Sequence, residues 1–370
     1  MERVLVTGGA GFIGSHLVDE LVRKGHKVRV LDIFEPQVHQ GKRPSYLNKE
    51  AEYIKGDVRK SSDLKKVLNK IDVVFHLAAQ VGVGQSMYEV ERYIDHNTRG
   101  TAVLMDHIIR NRGNVRKVVV ASSMSIYGEG SYDCPRCGSA EPIARTDEDL
   151  KKKRWEYKCS KCGRELKPVG TSEEKTLRAT SIYAISKKDQ EEIVLTVGKS
   201  YKIPSVALRF FNVYGPRQSL SNPYTGVCAI FSSRIKNGNP PLVYEDGRQS
   251  RDFVNVRDIV SALTLVMDTP KADYGFFNVG TGKATSILEV ADTLSRLYGV
   301  EPKVMVKNQF RAGDIRHCFA DISKIRSIGF KPAVSFKDGM RELVEWGKTE
   351  DAVDMVKKAD LQLAELNLKI

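Results

Sequence analysis

The stretch Thr7-Gly8-Gly9-Ala10-Gly11-Phe12-Ile13-Gly14 follows an apolar, β-branched run and precedes a run with helical spacing of its apolar residues. In such a turn the first glycine allows a tight bend, the second lets the backbone approach a phosphate, and the third permits close helix–strand packing. Gly8, Gly11 and Gly14 occupy these places. The following helix would direct free N–H groups and its positive dipole end at the same phosphate. The stretch therefore predicts a dinucleotide-binding strand–turn–helix, with Phe12 and Ile13 also beside the ligand.

An acidic residue stands where such a turn requires one. Asp32 lies 18 residues beyond Gly14 and ends the second predicted strand. A carboxylate there can accept hydrogen bonds from both ribose hydroxyls but repels a 2′-phosphate, which favours NAD over NADP. The alternative is a surface aspartate that simply ends a strand. Residues after the third and fourth predicted strands complete the expected cofactor site: Asp57 and Val58 beside the adenine, and Leu77, Ala78 and Ala79 where the cofactor crosses the sheet edge.

The first half of the chain alternates apolar, β-branched runs with segments of helical spacing. The predicted strands are Arg3–Thr7, Lys27–Asp32, Glu52–Lys55, Val73–Leu77 and Lys117–Ser122, and the predicted helices are Ile13–Lys24, Ser61–Leu68 and Val90–Arg112. Strands of this composition are expected to be buried on both faces. Their alternation with helices predicts right-handed crossovers and a parallel sheet. The predicted fold class is therefore α/β, a doubly wound parallel sheet.

Beyond Gly215 the regular alternation ends, and short strands mix with helices. Before it come a helix from Tyr183 to about Tyr201 and a strand Ser205–Phe211; after it, short strands are predicted at Leu242–Tyr244, Asp252–Val256 and Phe276–Val279. This half is expected to form a smaller, mixed α/β substrate domain on the carboxyl edge of the sheet. The predicted division is 1–128 and 171–215 for the cofactor domain, 129–170 for an insertion, 216–350 for the substrate domain, with segments near 251–270 rejoining the first, and 351–370 for a C-terminal helix.

The composition favours a globular protein without a membrane partner. The 370 residues are 41% hydrophobic, which suits a real core, and no apolar run approaches the length of about 18 residues that indicates a membrane span. The chain enters a strand at Arg3 without a signal-peptide pattern, so a cytoplasmic protein with reduced thiols is expected. The net charge of +13 would suit a polyanion. However, the basic residues are scattered apart from Lys151–Arg154, and no helix-turn-helix or related pattern occurs, which disfavours nucleic acid as a partner.

The segment Tyr183-Ala184-Ile185-Ser186-Lys187 places two polar side chains one helical turn apart on the same face. A tyrosine with its unperturbed pKa of about 10 is a poor base at neutral pH. A cation four residues later and a positive nicotinamide ring would lower that pKa and create a general base. The fifth predicted strand ends in Ser122 and Ser123, where ligands bind in open parallel sheets, so Ser123 is predicted to bind the oxygen that Tyr183 deprotonates. A tyrosine and a lysine on an exposed helix are the alternative.

These motifs together resemble the extended short-chain dehydrogenase/reductase superfamily, and within it the nucleotide-sugar epimerases and dehydratases, which have a Rossmann domain. The resemblance runs from residue 3 to about residue 347, apart from one insertion. It implies a catalytic triad of Ser123, Tyr183 and Lys187, with Ser122, Tyr183 and Lys187 also contacting bound NAD. The segment Asn97-Thr98-Arg99-Gly100-Thr101 matches one that supports the active site, with Asn97 beside the cofactor.

The two residues after Ser123 separate the reactions of this superfamily. Dehydratases carry an Asp-Glu pair there, because the loss of water needs an additional acid and base, whereas this chain has Met124 and Ser125. A thioether transfers no proton, so dehydration is disfavoured. Decarboxylation is disfavoured too, because its usual glutamate would fall at Ser125, which is instead expected to contact the substrate. The resemblance thus implies a nucleotide-sugar 4-epimerase that inverts C4 through a transient 4-keto sugar with tightly bound NAD, and UDP-glucose/UDP-galactose is the expected pair.

Three other functions stay open. Similar insertions in proteins that look like dTDP-L-rhamnose 4-epimerases keep that substrate open. An NAD-dependent sugar-nucleotide dehydrogenase or reductase would exchange free cofactor. A zinc-ribbon binding protein on a catalytically silent scaffold is the third, and the intact Ser123, Tyr183 and Lys187 argue against it.

The resemblance also assigns residues to the sugar nucleotide and implies a homodimer. Arg251 and Arg311 match two arginines that clamp the diphosphate, a role that suits the paired donors of a guanidinium group. Asn212 matches a contact to the diphosphate or sugar, and Tyr244 lies on the strand expected beside the base. Cys318 would bound the far side of the sugar and leave room for a C2 substituent such as N-acetyl. A salt bridge or a core position is the alternative for each, and the dimer is expected to form through the helices at Val90–Arg112 and after Tyr183.

Residues 129–170 depart from the family pattern and carry two Cys-x2-Cys pairs. Cys134 and Cys137 are followed, after 21 residues, by Cys159 and Cys162, a spacing typical of a zinc ribbon with four thiolate ligands. Two disulfides, disfavoured in the cytosol, or four idle thiols are the alternatives. A zinc ion with four sulfur ligands has no open position and would be structural. The insertion is expected to flank the sugar pocket, or else to form a subunit contact or a nucleic-acid contact through Lys151–Arg154.

Overall fold

Seven parallel strands form the central sheet in the computed structural model of the protein, which describes residues 1–110, 115–143, 145–307, 309 and 314–366. Their order across the sheet is Phe276–Val279, Ser205–Phe210, Lys117–Ser123, Val73–His76, Arg3–Thr7, Lys27–Asp32 and Glu52–Lys55. Successive strands are added to one side of Arg3–Thr7 as far as Glu52–Lys55, and from Val73–His76 onward they are added to its other side, which reverses the strand order. Ligands of open α/β sheets bind at the carboxyl ends of the strands beside such a reversal. The predicted doubly wound parallel sheet is confirmed.

The alternation of side chains along the strands builds one core on each face of the sheet. Val4 and Val6 pack on one face with the helices Phe12–Arg23 and Val256–Asp268. Leu5, between them in the sequence, packs on the other face. That second face is covered by the helices Ser61–Val67, Gly100–Arg110 and Ile182–Tyr201.

Two predictions about individual strands are wrong. Glu52–Lys55 was expected to be buried on both faces, but it is an edge strand with exposed ends, because only one neighbouring strand covers it. Phe276–Val279 was placed in the smaller substrate domain, but it pairs with Ser205–Phe210 and forms the opposite edge of the large sheet. The cofactor-binding sheet therefore includes a strand that lies beyond residues 251–270, the segment predicted to rejoin it.

The predicted helix Val90–Arg112 is interrupted by a π-helical segment. Val90–Tyr93 and Gly100–Arg110 are α-helical, Ile94–Arg99 between them is π-helical, and the last two predicted residues lie outside the described residues. A π-helical bulge inserts an additional residue into a helix and is frequent at functional sites. Here the bulge contains the fully buried Asn97.

A smaller unit covers the carboxyl edge of the sheet. Its core lies between the helices Val227–Lys236, Ile287–Tyr298 and Phe336–Thr349. Its short strands pair as Asn212–Tyr214 with Phe253–Asn255, Leu242–Val243 with Met305–Val306, and Ser250–Arg251 with both Thr285–Ser286 and His317–Cys318. The remaining short elements are the helices Pro36–His39, Val83–Ser86, Ser323–Arg326 and Val356–Glu365, and the 3-10 turns Met124–Tyr127 and Pro270–Ala272.

The insertion is a small three-stranded antiparallel sheet with its own core. Its strands are Ser131–Cys134, Gly138–Ala140 and Lys167–Val169, and a short helix spans Asp147–Lys151. The core consists of Tyr132, Tyr157, Leu166 and two of the cysteines. Among the helices of the described part of the chain, none has the length and apolar character needed to cross a bilayer.

Candidate active site

A cavity of about 690 Å³ opens at the carboxyl ends of the strands on either side of the reversal. Its walls include most residues predicted to hold the cofactor: Gly8, Gly11, Phe12, Ile13, Gly14, Asp32, Asp57, Val58, Leu77, Ala78, Ala79, Ser122, Tyr183 and Lys187. They also include predicted substrate residues from distant parts of the chain: Ser123, Ser125, Asn212, Tyr244 and Arg251. One continuous space therefore joins the predicted cofactor and substrate sites.

The glycine turn is packed so tightly that three of its glycines, Gly8, Gly9 and Gly14, have no room for a side chain. Gly8 has a φ of +72°, and a Cβ there would lie 2.8 Å from the backbone nitrogen of Ala78. A Cβ on Gly14 would lie 2.2 Å from the carbonyl oxygen of Gly8. At Gly11 the nearest atom would be 3.4 Å away, which is ordinary contact. The protein's own packing thus requires glycine at Gly8, Gly9 and Gly14. At Gly11 the packing leaves room for a Cβ, so a requirement for glycine there would come from a bound ligand.

Asp32 ends the second strand and reaches back into the glycine turn. Its carboxylate accepts hydrogen bonds from the backbone nitrogens of Ala10 (2.9 Å) and Phe34 (2.8 Å). Burial raises the pKa of Asp32, and these two N–H groups act in the opposite direction. The two bonds fix the carboxylate on the cavity wall, in the position where a ribose acceptor is predicted.

Several polar side-chain atoms on the cavity wall are buried without a hydrogen-bond partner among the described residues. They include the hydroxyl of Ser122 and the side-chain oxygens of Asn212, Gln218 and Gln249. A buried polar atom left unpaired costs about 1–3 kcal/mol, so these atoms indicate a ligand with polar groups of its own. Together with the open side of Gly11 and the fixed carboxylate of Asp32, they fit a dinucleotide.

The structure brings Ser123 and Tyr183 into direct contact. The helix Ile182–Tyr201 starts beside the cavity because the side chain of Ser181 caps it, accepting from the backbone nitrogen of Ala184. Tyr183 therefore lies in the first turn, and its side chain is hydrogen-bonded to Ser123. Loss of solvent raises the pKa of Tyr183, and the bond with Ser123 opposes this rise. Ser123 also accepts from the hydroxyl of Ser125 at 2.9 Å, so three hydroxyl groups meet at one end of the cavity.

Lys187 lies one turn further along the same helix and is buried. Its ammonium group donates to the side-chain oxygen of Gln190 at 2.7 Å. Burial lowers the pKa of Lys187 to about 7, so the protein environment disfavours its charged form. The predicted lowering of the pKa of Tyr183 by Lys187 is accordingly not seen, and the hydrogen bond with Ser123 is what acts in that direction.

Behind Lys187 lies a buried polar network that the sequence analysis missed. The amide nitrogen of Gln190 donates to Thr101 at 2.8 Å and lies 3.2 Å from Nε2 of His76. The other ring nitrogen of His76 lies 2.8 Å from the hydroxyl of Thr7. Burial, reinforced by the charge of Lys187, lowers the pKa of His76 to about 3, so this imidazole is neutral. Gln190 stands three residues after Lys187, and that helical spacing could have indicated it.

Two predicted substrate residues are held at the cavity edge by other parts of the chain. The guanidinium of Arg251 donates to the carbonyl oxygens of Ile315 (2.6 Å) and Arg316 (2.9 Å). The hydroxyl of Tyr244 donates to Asp360 at 2.5 Å. Asp360 belongs to the C-terminal helix, which lines the cavity with Ala359, Asp360 and Leu363. Sequence reasoning predicted this helix but not its place at the site.

Two of the predicted cofactor and substrate residues that the structure describes, Asn97 and Cys318, do not line the cavity. Asn97 lies behind the wall, where its amide donates to Ser186 at 2.9 Å and to the backbone of Gln80 at 3.1 Å, so it supports the wall instead of contacting a cofactor. Cys318 packs in the core, with its sulfur 3.8 Å from the hydroxyl of Thr171. The predicted contact of Cys318 with the far side of the sugar is therefore not made. Arg311 lies outside the described residues.

The four cysteines of the insertion converge on one point. Their Sγ atoms all lie within 4.8 Å of one another, and those of Cys134 and Cys162 are 3.5 Å apart. These separations are longer than a disulfide bond of about 2.05 Å and agree with four thiolates around one metal ion. The backbone N–H of Arg136 lowers the pKa of Cys134, whereas hydrogen bonding to Cys162 within the cluster raises the pKa of Cys137.

The fold and the site define a class of protein: an enzyme with a doubly wound dinucleotide-binding sheet and a Ser–Tyr–Lys group at its cavity. Comparison with known families gives the particular one. Residues 4–280 match the NAD dependent epimerase/dehydratase family, and the chain belongs to this family. The resemblance found in the sequence is confirmed.

Individual relatives match over nearly their whole length. The dTDP-L-rhamnose 4-epimerase of Burkholderia thailandensis is 34% identical over 349 residues, which cover 93% of this chain and 94% of that protein. The crystal structure of the UDP-glucose 4-epimerase of Thermotoga maritima with UDP-glucose has a TM-score of 0.76 and 30% identity, covering 94% of this chain and 98% of that one. The UDP-glucose 4-epimerase of Thermus thermophilus, solved in complex with NAD, has a TM-score of 0.74 and 30% identity, covering 94% and 100%.

Proposed function

We propose that this protein is a nucleotide-sugar 4-epimerase with tightly bound NAD. The observation that carries the proposal is the hydrogen-bonded pair of Ser123 and Tyr183 on the wall of a dinucleotide-shaped cavity, followed by Met124 and Ser125 instead of an acidic pair. When bound, NAD supplies a reversible acceptor for the hydride of the sugar's C4. The relatives that match over the whole chain support the same reaction.

The residues of the chain account for the proton transfers. Tyr183 takes the proton of the C4 hydroxyl and returns it after the 4-keto sugar has turned its other face. Ser123 hydrogen-bonds the same oxygen, and its contact with Tyr183 holds the two hydroxyls together. When Tyr183 loses its proton, the negative charge of the tyrosinate favours the protonated form of Lys187, which Gln190 holds in place and which in turn stabilises the tyrosinate. Met124 has no proton to transfer and Ser125 stands where an acidic residue would be expected, so elimination of water is disfavoured.

The sugar nucleotide is proposed to extend from Ser123 towards the smaller unit, residues 216–350 in the predicted division. Arg251, with Arg311 as its predicted partner, would bind the diphosphate, Asn212 the diphosphate or sugar, and Tyr244 the base. UDP-glucose and UDP-galactose are the expected substrates. dTDP-L-rhamnose is the second candidate, because an enzyme named for that substrate is 34% identical over nearly the whole chain.

Incubation with a panel of UDP- and dTDP-hexoses, followed by NMR of the C4 configuration, tests the proposal. We expect inversion at C4 of one epimer pair, with NAD retained by the protein through purification. Release of NADH in proportion to substrate would favour a dehydrogenase or reductase. If no sugar of the panel is inverted, the proposal is wrong.

The cysteine cluster is proposed to hold one structural zinc ion. Metal analysis of the purified protein should find about one zinc per chain, as four thiolates in tetrahedral geometry require. The variant Cys162→Ser should lose most of it. The control is Cys228→Ala, which removes a buried cysteine outside the cluster. Little zinc in the unmodified protein, or equal zinc in Cys162→Ser, would contradict the metal site.

We also propose a homodimer and a cytoplasmic location. The helices Gly100–Arg110 and Ile182–Tyr201 pack side by side, and Ile185 and Tyr201 expose large side chains on the second of them. Light scattering should give the mass of two chains, and a monomeric mass would contradict the dimer. The cysteines of the described part of the chain are not paired in disulfides, which suits a reducing compartment.

A further inference from the structure

The cysteine-bearing insertion is connected to one wall of the cavity by a network of charged side chains around one buried arginine. Its centre is Arg316, which is fully buried. The guanidinium of Arg316 contacts the carboxylate of Glu156 from the insertion and those of Glu245 (2.9 Å) and Asp246 (2.6 Å) from the smaller unit. Breaking a buried ion pair is strongly destabilising, because it leaves an uncompensated charge. The network thus fixes the insertion against the segment that follows Tyr244.

A second link joins the core of the insertion to the backbone at Arg316 and His317. Glu129, where the insertion begins, accepts hydrogen bonds from the backbone nitrogens of Arg316 and His317, both at 2.6 Å. The carboxylate of Glu129 also accepts from the hydroxyls of Tyr132 (2.7 Å) and Tyr157 (3.0 Å). These two tyrosines pack with Cys134 and Cys159 in the core of the insertion. The arrangement of the four cysteines is therefore mechanically connected to the backbone at Arg316.

A third link reaches the cavity itself. Arg145 of the insertion forms an ion pair with Glu245 at 2.9 Å and donates to the carbonyl oxygen of Asp314 at 3.4 Å. Glu245 and Asp314 both line the cavity. Glu245 has a φ of +50°, a left-handed conformation that a residue with a side chain adopts only when its surroundings hold it there. Its ion pairs with Arg145 and Arg316 provide that restraint.

Arg251 is held by the backbone to which the insertion is bonded. As described above, its guanidinium donates to the carbonyl oxygens of Ile315 and Arg316. The position of Arg251 therefore depends on the backbone that the insertion holds. The hydrogen bonds of Ser123 and Tyr183, in contrast, involve no residue of the insertion that the structure describes.

We propose that Glu156 and Arg145 are positioning residues for the sugar nucleotide, through which the insertion sets the affinity for the nucleoside diphosphate and leaves the chemistry at C4 unchanged. The inference rests on the proposed function only in taking a nucleoside diphosphate sugar as the ligand of this cavity. The insertion would then hold Glu245, Asp314 and Arg251 in position for binding, without contacting the reacting carbon.

The test measures binding and turnover separately in Glu156→Gln, which keeps the shape of the side chain and removes its charge. Calorimetry with UDP and with dTDP should show about tenfold weaker binding of whichever nucleotide the unmodified protein binds, since the buried guanidinium of Arg316 loses one of its three carboxylate partners. The KM for the sugar nucleotide should rise by a similar factor, whereas kcat and the content of bound NAD stay unchanged. The matched control is Glu165→Gln, an exposed glutamate of the same insertion, which should bind and turn over as the unmodified protein does.

Arg145→Gln breaks the third link and provides an independent variant if Glu156→Gln does not fold. Unchanged nucleotide affinity in the folded variants would overturn the inference, as would a loss of kcat or of NAD without a change in affinity. Nucleotide affinity that depends on Glu156 in a protein that inverts no sugar would support the inference and contradict the proposed function. An unmodified protein that binds neither UDP nor dTDP would overturn both.

Discussion

Replacing Tyr183 by phenylalanine is expected to lower kcat for C4 inversion by about a thousandfold, within the range that general acid–base catalysis contributes. The substitution removes only the hydroxyl that contacts Ser123. The ring remains, together with its edge-to-face packing at 6.4 Å on Tyr93. The protein should therefore stay folded and retain NAD, since the rest of the cavity wall is unchanged. NMR of the C4 configuration gives the rate, and absorbance of the cofactor released on denaturation gives the NAD content.

The control for this variant is Tyr274→Phe, at a tyrosine that belongs to neither the proposed site nor the proposed dimer surface. Tyr274 lies outside the cavity and is 42% exposed, so the control should retain the full rate. If Tyr183→Phe keeps kcat within about tenfold of the unmodified enzyme, Tyr183 falls below the range of a general base. The Ser123–Tyr183 pair would then not carry the proposed chemistry.

The parts of the site that could be predicted from the sequence are those with short-range causes. In the glycine turn, a Cβ at Gly14 would collide with Gly8 itself, six positions earlier in the chain. Tyr183 and Lys187 lie one helical turn apart, and the four cysteines form two local pairs. Sequence spacing alone fixes such groups, because a turn or a helix dictates where its neighbouring side chains lie.

The parts that could not be predicted depend on contacts between distant segments. Glu156 meets Arg316 across 160 positions, and Asp360 meets Tyr244 across 116. Neither segment of either pair carries a pattern that selects the other. The same limit explains Lys187, because its lowered pKa arises from burial in the assembled fold. Cys318 was assigned by its place in a family pattern, but the packing of its side chain against Thr171 removes it from the cavity.

A pair of alanine substitutions in the glycine turn separates the demands of the fold from those of the cofactor. Gly14→Ala places a Cβ 2.2 Å from the carbonyl oxygen of Gly8 and 2.7 Å from Cα of Gly9. Both are backbone atoms, so the first helix must move away from the first strand. We expect the free energy of unfolding to fall by about 3 kcal/mol, at the upper end of ordinary overpacking. Denaturant unfolding, monitored by circular dichroism, measures this loss.

Gly11→Ala is the matched variant, because its Cβ would meet no atom closer than 3.4 Å. We expect its unfolding free energy to remain within about 1 kcal/mol of that of the unmodified protein, since no overpacking arises. Its content of NAD after purification should nevertheless fall sharply, because the new methyl group occupies the side from which a pyrophosphate approaches the backbone. Gly14→Ala would lose stability and NAD together, whereas Gly11→Ala would lose NAD alone. Retention of NAD by Gly11→Ala would mean that the pyrophosphate does not lie against Gly11, and the placement of the cofactor along the turn would have to change.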